Sequence, residues 1–144
     1  MKTWLRLQTL AVFHCLALAV GLAAADDQTN AMINCQIQQG PCIRMVADCK
    51  VGLDILPKPV KAMQDLIFRV TVEGSLHMSQ PPYIDLNMPA MDMGPNRVLL
   101  EQITDGVFEG RGVIVRCRSG DKTWQAKLTF PGAGSTTFVF DVVY

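Results

Sequence analysis

The sequence predicts an all-β chain folded as an antiparallel sandwich, and three observations carry that expectation. Apolar and polar residues alternate with period two through most of the chain after residue 48. Clusters of Gly, Pro, Asp and Ser separate the alternating segments: Thr104-Asp105-Gly106, Ser119-Gly120-Asp121 and Pro131-Gly132-Ala133-Gly134. No stretch of any length shows the 3.6-residue period of an amphipathic helix, although residues 61–66 have room for one helical turn. Seven short strands with regular turns describe a two-sheet, immunoglobulin-like β-sandwich.

The first strand runs from Cys49 through Val51, Leu53 and Ile55, alternating with Lys50, Gly52 and Asp54, and ends before Pro57 and Pro59. The second sets Leu66, Phe68, Val70 and Val72 against Arg69, Thr71 and Glu73. In the third, Ile84, Leu86 and Met88 point one way and Tyr83, Asp85 and Asn87 the other. Further strands read at 96–103, 107–117, 122–130 and 136–143. Phe108, Gly110, Gly112 and Ile114 share one strand face, and alternate glycines mark a place of close approach. Trp124, Ala126, Leu128 and Phe130 share a face of the next strand, so Trp124 is expected to cover that glycine trough.

Ahead of the sandwich the chain changes character. Lys2 and Arg6 precede an apolar run from Leu10 to Leu22, followed by Ala23-Ala24-Ala25 and the polar Asp26-Asp27. This is the layout of a bacterial export signal, with cleavage after residue 25 and a periplasmic destination. The apolar run is shorter than the roughly 20 residues that span a bilayer, so an uncleaved anchor is the lesser alternative. Cys15 follows Val12-Phe13-His14, without the small residue that precedes a lipidated cysteine. Residues 26–48 read as a polar, cysteine-containing strap in which Gly40-Pro41 interrupts regular structure. Residues 49–144 form the sandwich domain.

All thirteen acids follow residue 25, with eleven bases, giving a net charge of −2 beyond the leader. A chain so near neutrality, without a Lys/Arg block, lacks the electrostatic footprint of a nucleic-acid or anionic-membrane binder. Nothing after Asp26 is long and apolar enough to span a bilayer. Four cysteines follow the leader: Cys35, Cys42, Cys49 and Cys117. An even count in an exported domain points to disulfides, and the spacings lack the close pairing of a four-cysteine zinc site. Counting strand reversals puts Cys49 and Cys117 at opposite ends, which favours Cys117 with Cys35 or Cys42; the pairing itself stays open.

One constellation carries candidate chemistry. Met88-Pro89-Ala90-Met91-Asp92-Met93-Gly94 sets three thioethers on one turn after a strand. Thioether sulfur is soft and uncharged and prefers Cu(I) to harder divalent ions. Met88, Met91 and Met93 are therefore candidate Cu(I) ligands, with Met63, at the same end by the strand count, as a fourth. The bland account is that the methionines fill the core, as Met88 would by continuing the series Ile84, Leu86. His77 enters the same strand from its other end, about 20 Å away, and is expected to be a solvated loop residue. It is the sole histidine after the leader, and no phosphate-binding glycine loop or paired-carboxylate motif is found, so no enzyme is expected.

The run Met88-Pro89-x-Met91-x-Met93-Gly94, then Phe108-x-Gly110-x-Gly112-x-Ile114, then Gly120 and Trp124, resembles the YtkA-like family, which overlaps in fold with FixH-like oxidase-assembly proteins. The resemblance implies an exported or tethered immunoglobulin-like module concerned with copper handling, metal efflux or respiratory-oxidase assembly. It also implies that Met88, Met91 and Met93 form the family's methionine loop. The chain departs from the pattern in having no histidine beside that loop and in its Cys35–Cys49 strap and Cys117. Three functions follow: a periplasmic Cu(I) binder or copper-delivery accessory, a metal-free protein-protein interaction module for envelope or respiratory-complex assembly, or a structural domain with core methionines.

Overall fold

A computed structural model describes residues 32–89, 91 and 93–144. The export signal expected at 1–25 lies outside the described residues, as do 26–31, Ala90 and Asp92. In chain order the strands are β1 (Cys42–Val46), β2 (Cys49–Leu56), β3 (Asp65–Glu73), β4 (Tyr83–Asn87), β5 (Arg97–Leu99), β6 (Glu101–Thr104), β7 (Val107–Val113), β8 (Thr123–Phe130) and β9 (Gly134–Asp141). Every ladder between them is antiparallel, in two sheets ordered β1-β2-β3-β7-β6 and β5-β4-β8-β9.

Period-two alternation builds both sheets around one core. On β3, Leu66, Phe68 and Val70 are fully buried while Arg69, Thr71 and Glu73 are exposed. On β8 the buried set is Trp124, Ala126, Leu128 and Phe130, and β9 adds Phe138 and Phe140. These residues join Leu53, Ile55, Ile84 and Leu86 in a single apolar cluster drawn from both sheets. Each such fully buried large side chain contributes about 1.5–3 kcal/mol relative to exposure.

The structure differs from the expected seven strands in two places. The strap contains β1, which pairs with β2 from Cys42↔Leu53 to Val46↔Cys49. Pro41 stands just ahead of β1, and β1 is an edge strand, so the missing proline donor breaks no ladder. The single strand expected at 96–103 is instead two. Its first part, β5, pairs with β4, and its second, β6, pairs with β7 in the other sheet. The chain changes sheets at Leu100, which is buried and donates its N–H to the Pro82 carbonyl at 3.2 Å.

This crossing explains the alternating glycines. A Cβ on Gly110 would lie 2.3 Å from the Leu99 carbonyl oxygen and 2.7 Å from Val98 Cγ1. A Cβ on Gly112 would lie 2.6 Å from Val98 Cγ2. The trough is filled by 98–100, the segment that changes sheets, rather than covered by Trp124. Only glycine lets the second layer of backbone approach β7 so closely.

The opposite flank is closed differently. Asn34 and Cys35 both donate their backbone N–H groups to the Val139 carbonyl at 3.0 Å, and Asn34 Oδ1 accepts the Val139 N–H at 2.9 Å. This segment therefore lies along the edge of β9. A disulfide joins Cys35 to Cys42 at the head of β1, with Cα atoms 5.6 Å apart. Cys117 is thus not joined to either strap cysteine; Cys49 and Cys117 are buried free thiols. Cys49 sits against Gly74, at the end of the sheets where β2 starts and β3 finishes. Cys117 follows β7 at the other end, as the strand count requires.

Candidate functional site

The methionine loop joins the end of β4 to the start of β5. Its neck is closed by the Leu86 N–H on the Asn96 carbonyl at 2.8 Å. Within the loop, Asn87 is the organiser. Its Oδ1 accepts the backbone N–H of Met88 at 2.8 Å and that of Met93 at 3.3 Å. One carboxamide oxygen so holds the backbone at the two outer methionines, in the local side-chain-to-backbone pattern that favours asparagine at turns. Met91 folds back by donating its N–H to the Met88 carbonyl at 3.2 Å, and the two residues form an isolated antiparallel bridge. Gly94 has φ +74°, a left-handed conformation that glycine adopts without strain.

The three thioethers are not equivalent. Met88 is 3% exposed and belongs to the core. Met91 is 47% exposed, and Met93 is half-buried, packed on the edge of the core. The loop backbone thus brings the three residues together but leaves one sulfur-bearing side chain inside and one outside. Met63 has φ 60° and is 66% exposed. It donates its N–H to the Ile114 carbonyl at 2.8 Å, beside Val113, whose carbonyl accepts from Asn96 Nδ2 at 3.5 Å. Those bonds tie Met63 to the same end of the sheets as the methionine loop.

His77 belongs to the far end. The Ser79 N–H bonds to the Pro131 carbonyl at 2.9 Å, anchoring its loop to the β8–β9 turn, and His77 is exposed. Continuing the β4–β8 register by one step beyond Asn87↔Gln125 sets Met88 opposite Trp124. Trp124 is fully buried, and its Nε1 is the one buried side-chain polar atom, among the described residues, without a hydrogen-bond partner. A buried donor of this kind is uncommon, and here it lies inside the apolar cluster.

The second reactive group near this end is the Cys117 thiol. The Ser119 hydroxyl lies 3.0 Å from its sulfur and, by hydrogen bonding to the charged form, holds the thiol below its ordinary pKa. The Cys117 N–H donates to the Tyr144 hydroxyl at 3.1 Å, and that hydroxyl donates to the Asp121 carbonyl. Among the described residues there is no group of three or more His, Cys, Asp and Glu side chains that could share a metal ion. Nor, among them, is any helix long and apolar enough to cross a membrane.

The sequence alone makes Asn87 one more outward strand residue and sets Trp124 over the glycine trough, not beside Met88. An asparagine directly preceding a Pro- and Gly-containing turn is the available cue for the first. The second depends on a long-range pairing that no local pattern announces. Comparison with protein-family models, with curated proteins and with solved structures finds no match for this chain.

Proposed function

We propose that this protein is an exported, non-enzymatic module of YtkA-like, immunoglobulin-like design that binds Cu(I) at its methionine loop in the periplasm. The observation that carries this reading is the graded exposure of the loop around Asn87. Met91 is open to solvent, Met93 stands at the rim, and Met88 lies inside. A core-filling role would account for Met88 and not for Met91, because gap-filling methionines are buried. Soft, uncharged thioethers select Cu(I) over harder ions, and they do so without a proton to displace. Met63, exposed at the same end, is the available fourth ligand.

The test is competition of the purified, reduced protein with a Cu(I) chelator, alongside Met91→Leu/Met93→Leu. The reading expects wild type to retain copper and the double variant to lose it. Equal retention by the two proteins sinks it. Because Trp124 is the sole tryptophan beyond Trp4 and stands next in register to Met88, quenching of its emission should track occupancy. Thioether ligation also predicts an affinity nearly constant between about pH 5 and 8, where histidine ligands would titrate.

A further inference from the structure

Eleven bases follow the leader, and the fold disposes of them unevenly. Lys50, Lys58, Arg69 and Arg97 are each paired with an acid, and Lys127 stands opposite Asp85. Lys61, Arg116, Arg118 and Lys122 are exposed, and among the described residues none of these four makes an ion pair. Arg116 lies over the Tyr144 ring, 5.3 Å from its centre.

All four belong to segments that hydrogen bonds gather at one end of the sandwich. Ala62 donates its N–H to the Val143 carbonyl at 2.9 Å, and Met63 to the Ile114 carbonyl at 2.8 Å. Cys117 donates to the Tyr144 hydroxyl at 3.1 Å, and Val142 to the Lys122 carbonyl at 3.0 Å. Segments 60–64, 114–122 and 142–144 therefore share one surface, with four basic side chains against a single acidic one, Asp121. The Asp121 carboxylate is turned to the Thr123 N–H at 3.2 Å. The other described acids near this end lie on strands: Asp54 is paired with Lys58, Asp141 accepts the Thr123 hydroxyl at 2.8 Å, and Asp65 opens β3. Apolar side chains are interspersed with the bases, with Met63 66% exposed, Val143 38% and Val115 37%. At the opposite end the strands and turns finish in Asp48, Glu73 and Asp105, so the bases are segregated along the long axis.

We propose that this basic end is a docking surface for an acidic patch of a partner protein. Carboxylates of the partner meet Lys61, Arg116, Arg118 and Lys122 around an apolar side chain that rests on Met63 and Val143. An apolar centre inside a charged rim is the usual plan of a protein interface, and opposite potentials speed the encounter and fix its orientation. A bilayer is a poorer occupant, because these segments contain no Trp, Phe or Leu to enter it and the chain beyond the leader is net negative. The acidic end of a second copy is poorer too, since its Glu73 is already paired with Lys50 and a head-to-tail contact does not close. The Asn96 amide ties the methionine loop to Val113 at this same end, so a docked partner faces Met91. None of the four bases is a candidate copper ligand, and the docking surface is tested without copper.

The probe is a fluorescein-labelled peptide, Gly-Glu-Asp-Leu-Glu-Asp-Gly, against the same peptide with Gln for Glu and Asn for Asp, read by anisotropy with the full chain at low ionic strength. The acidic peptide is expected to bind about tenfold more tightly than its amide counterpart, and to weaken as salt is added. Arg118→Gln/Lys122→Gln should reduce its affinity roughly fivefold, while Lys50→Gln/Lys127→Gln, which removes the same charge elsewhere, should change it less than about twofold. The side chains of Arg118 and Lys122 are exposed and unpaired, so their replacement leaves the fold, and Cu(I) retention, unchanged. Equal affinities for the two peptides, or equal losses in the two double variants, would overturn the proposal. So would vesicles of phosphatidylglycerol and phosphatidylcholine bound as tightly as the acidic peptide, or self-association that Arg118→Gln/Lys122→Gln dissolves.

Discussion

The glycine trough yields the sharpest energetic prediction, because the obstacle differs at its two positions. At Gly110 the nearest atom to an added Cβ is the Leu99 carbonyl oxygen at 2.3 Å, and at Gly112 it is the Val98 Cγ2 methyl at 2.6 Å. A side-chain methyl can rotate away. The backbone at Leu99 is held by its pairing with Tyr83 and by the neighbouring Leu100 N–H on Pro82, so it has little freedom to retreat. Overpacking of a filled core costs about 1–3 kcal/mol, and Gly110→Ala should fall at the upper end with Gly112→Ala nearer the lower. At about 4 °C per kcal/mol for a domain of this size, Tm should fall by roughly 12 °C and 4 °C respectively. Val98→Ala then separates the two causes. It removes the methyl facing Gly112, so Val98→Ala and Gly112→Ala should couple favourably by about 1–2 kcal/mol. The Leu99 oxygen stays in place when Val98 is shortened, so the coupling with Gly110→Ala should be less than half as large. Urea unfolding followed by Trp124 fluorescence gives wild type and the five variants on one scale. A Gly110→Ala protein within about 0.5 kcal/mol of wild type, or equal rescue at both positions, refutes the crossing-strand explanation.

Three other outcomes are expected. Cys35→Ser/Cys42→Ser should lose about 2.5 kcal/mol from the short loop it opens, seen as a lower urea midpoint that added reductant no longer changes. Asn87→Ala frees the N–H groups of Met88 and Met93 and should cost about 1–2 kcal/mol, while weakening Cu(I) retention with all thioethers still present. Ser119→Ala should raise the midpoint of the pH profile for alkylation of Cys117, since the hydroxyl favours the thiolate. The sign follows from a depressed folded pKa: the added stability is present above the unfolded thiol's value of about 8.5 and disappears as pH falls through the folded value. Ser119→Ala should therefore cost more stability in alkaline than in neutral buffer, where only the hydroxyl's bonds to the neutral thiol and to the Asp121 N–H are lost.

Strands such as β3 were legible because Leu66, Phe68 and Val70 alternate with polar residues, and one buried face imposes that pattern wherever a sheet meets a core. The glycine spacing at 110 and 112 was equally legible. Its occupant was not, because the choice between Trp124 and 98–100 is made by packing between strands distant in sequence. The adjacent pair Leu99-Leu100 did carry a cue to the sheet change: two successive apolar residues break strict alternation, and here one faces out and one in. β1 was hidden by Gly40-Pro41, which reads as an interruption but stands just before an edge strand. The cysteine partners were open for a similar reason, since four cysteines allow three pairings and only the placement of the strap on β9 selects among them. At the methionine loop, the inward turn of Met88 was legible from Ile84 and Leu86. The role of Asn87 was not, because its neighbours Tyr83 and Asp85 made it look like one more outward-facing strand residue.

The hydrogen bonds that lay the first described residues along the last strand span 103 and 105 positions of chain. Closing so long a loop is among the slowest and entropically costliest events available to a polypeptide of this size. Asn34 and Cys35 have nothing to lie on until β9 has joined its sheet. The covalent latch from Cys35 to Cys42 closes a loop of only seven positions, so it needs no contact with β9; what waits for the last strand is the seating of the latched segment along that edge.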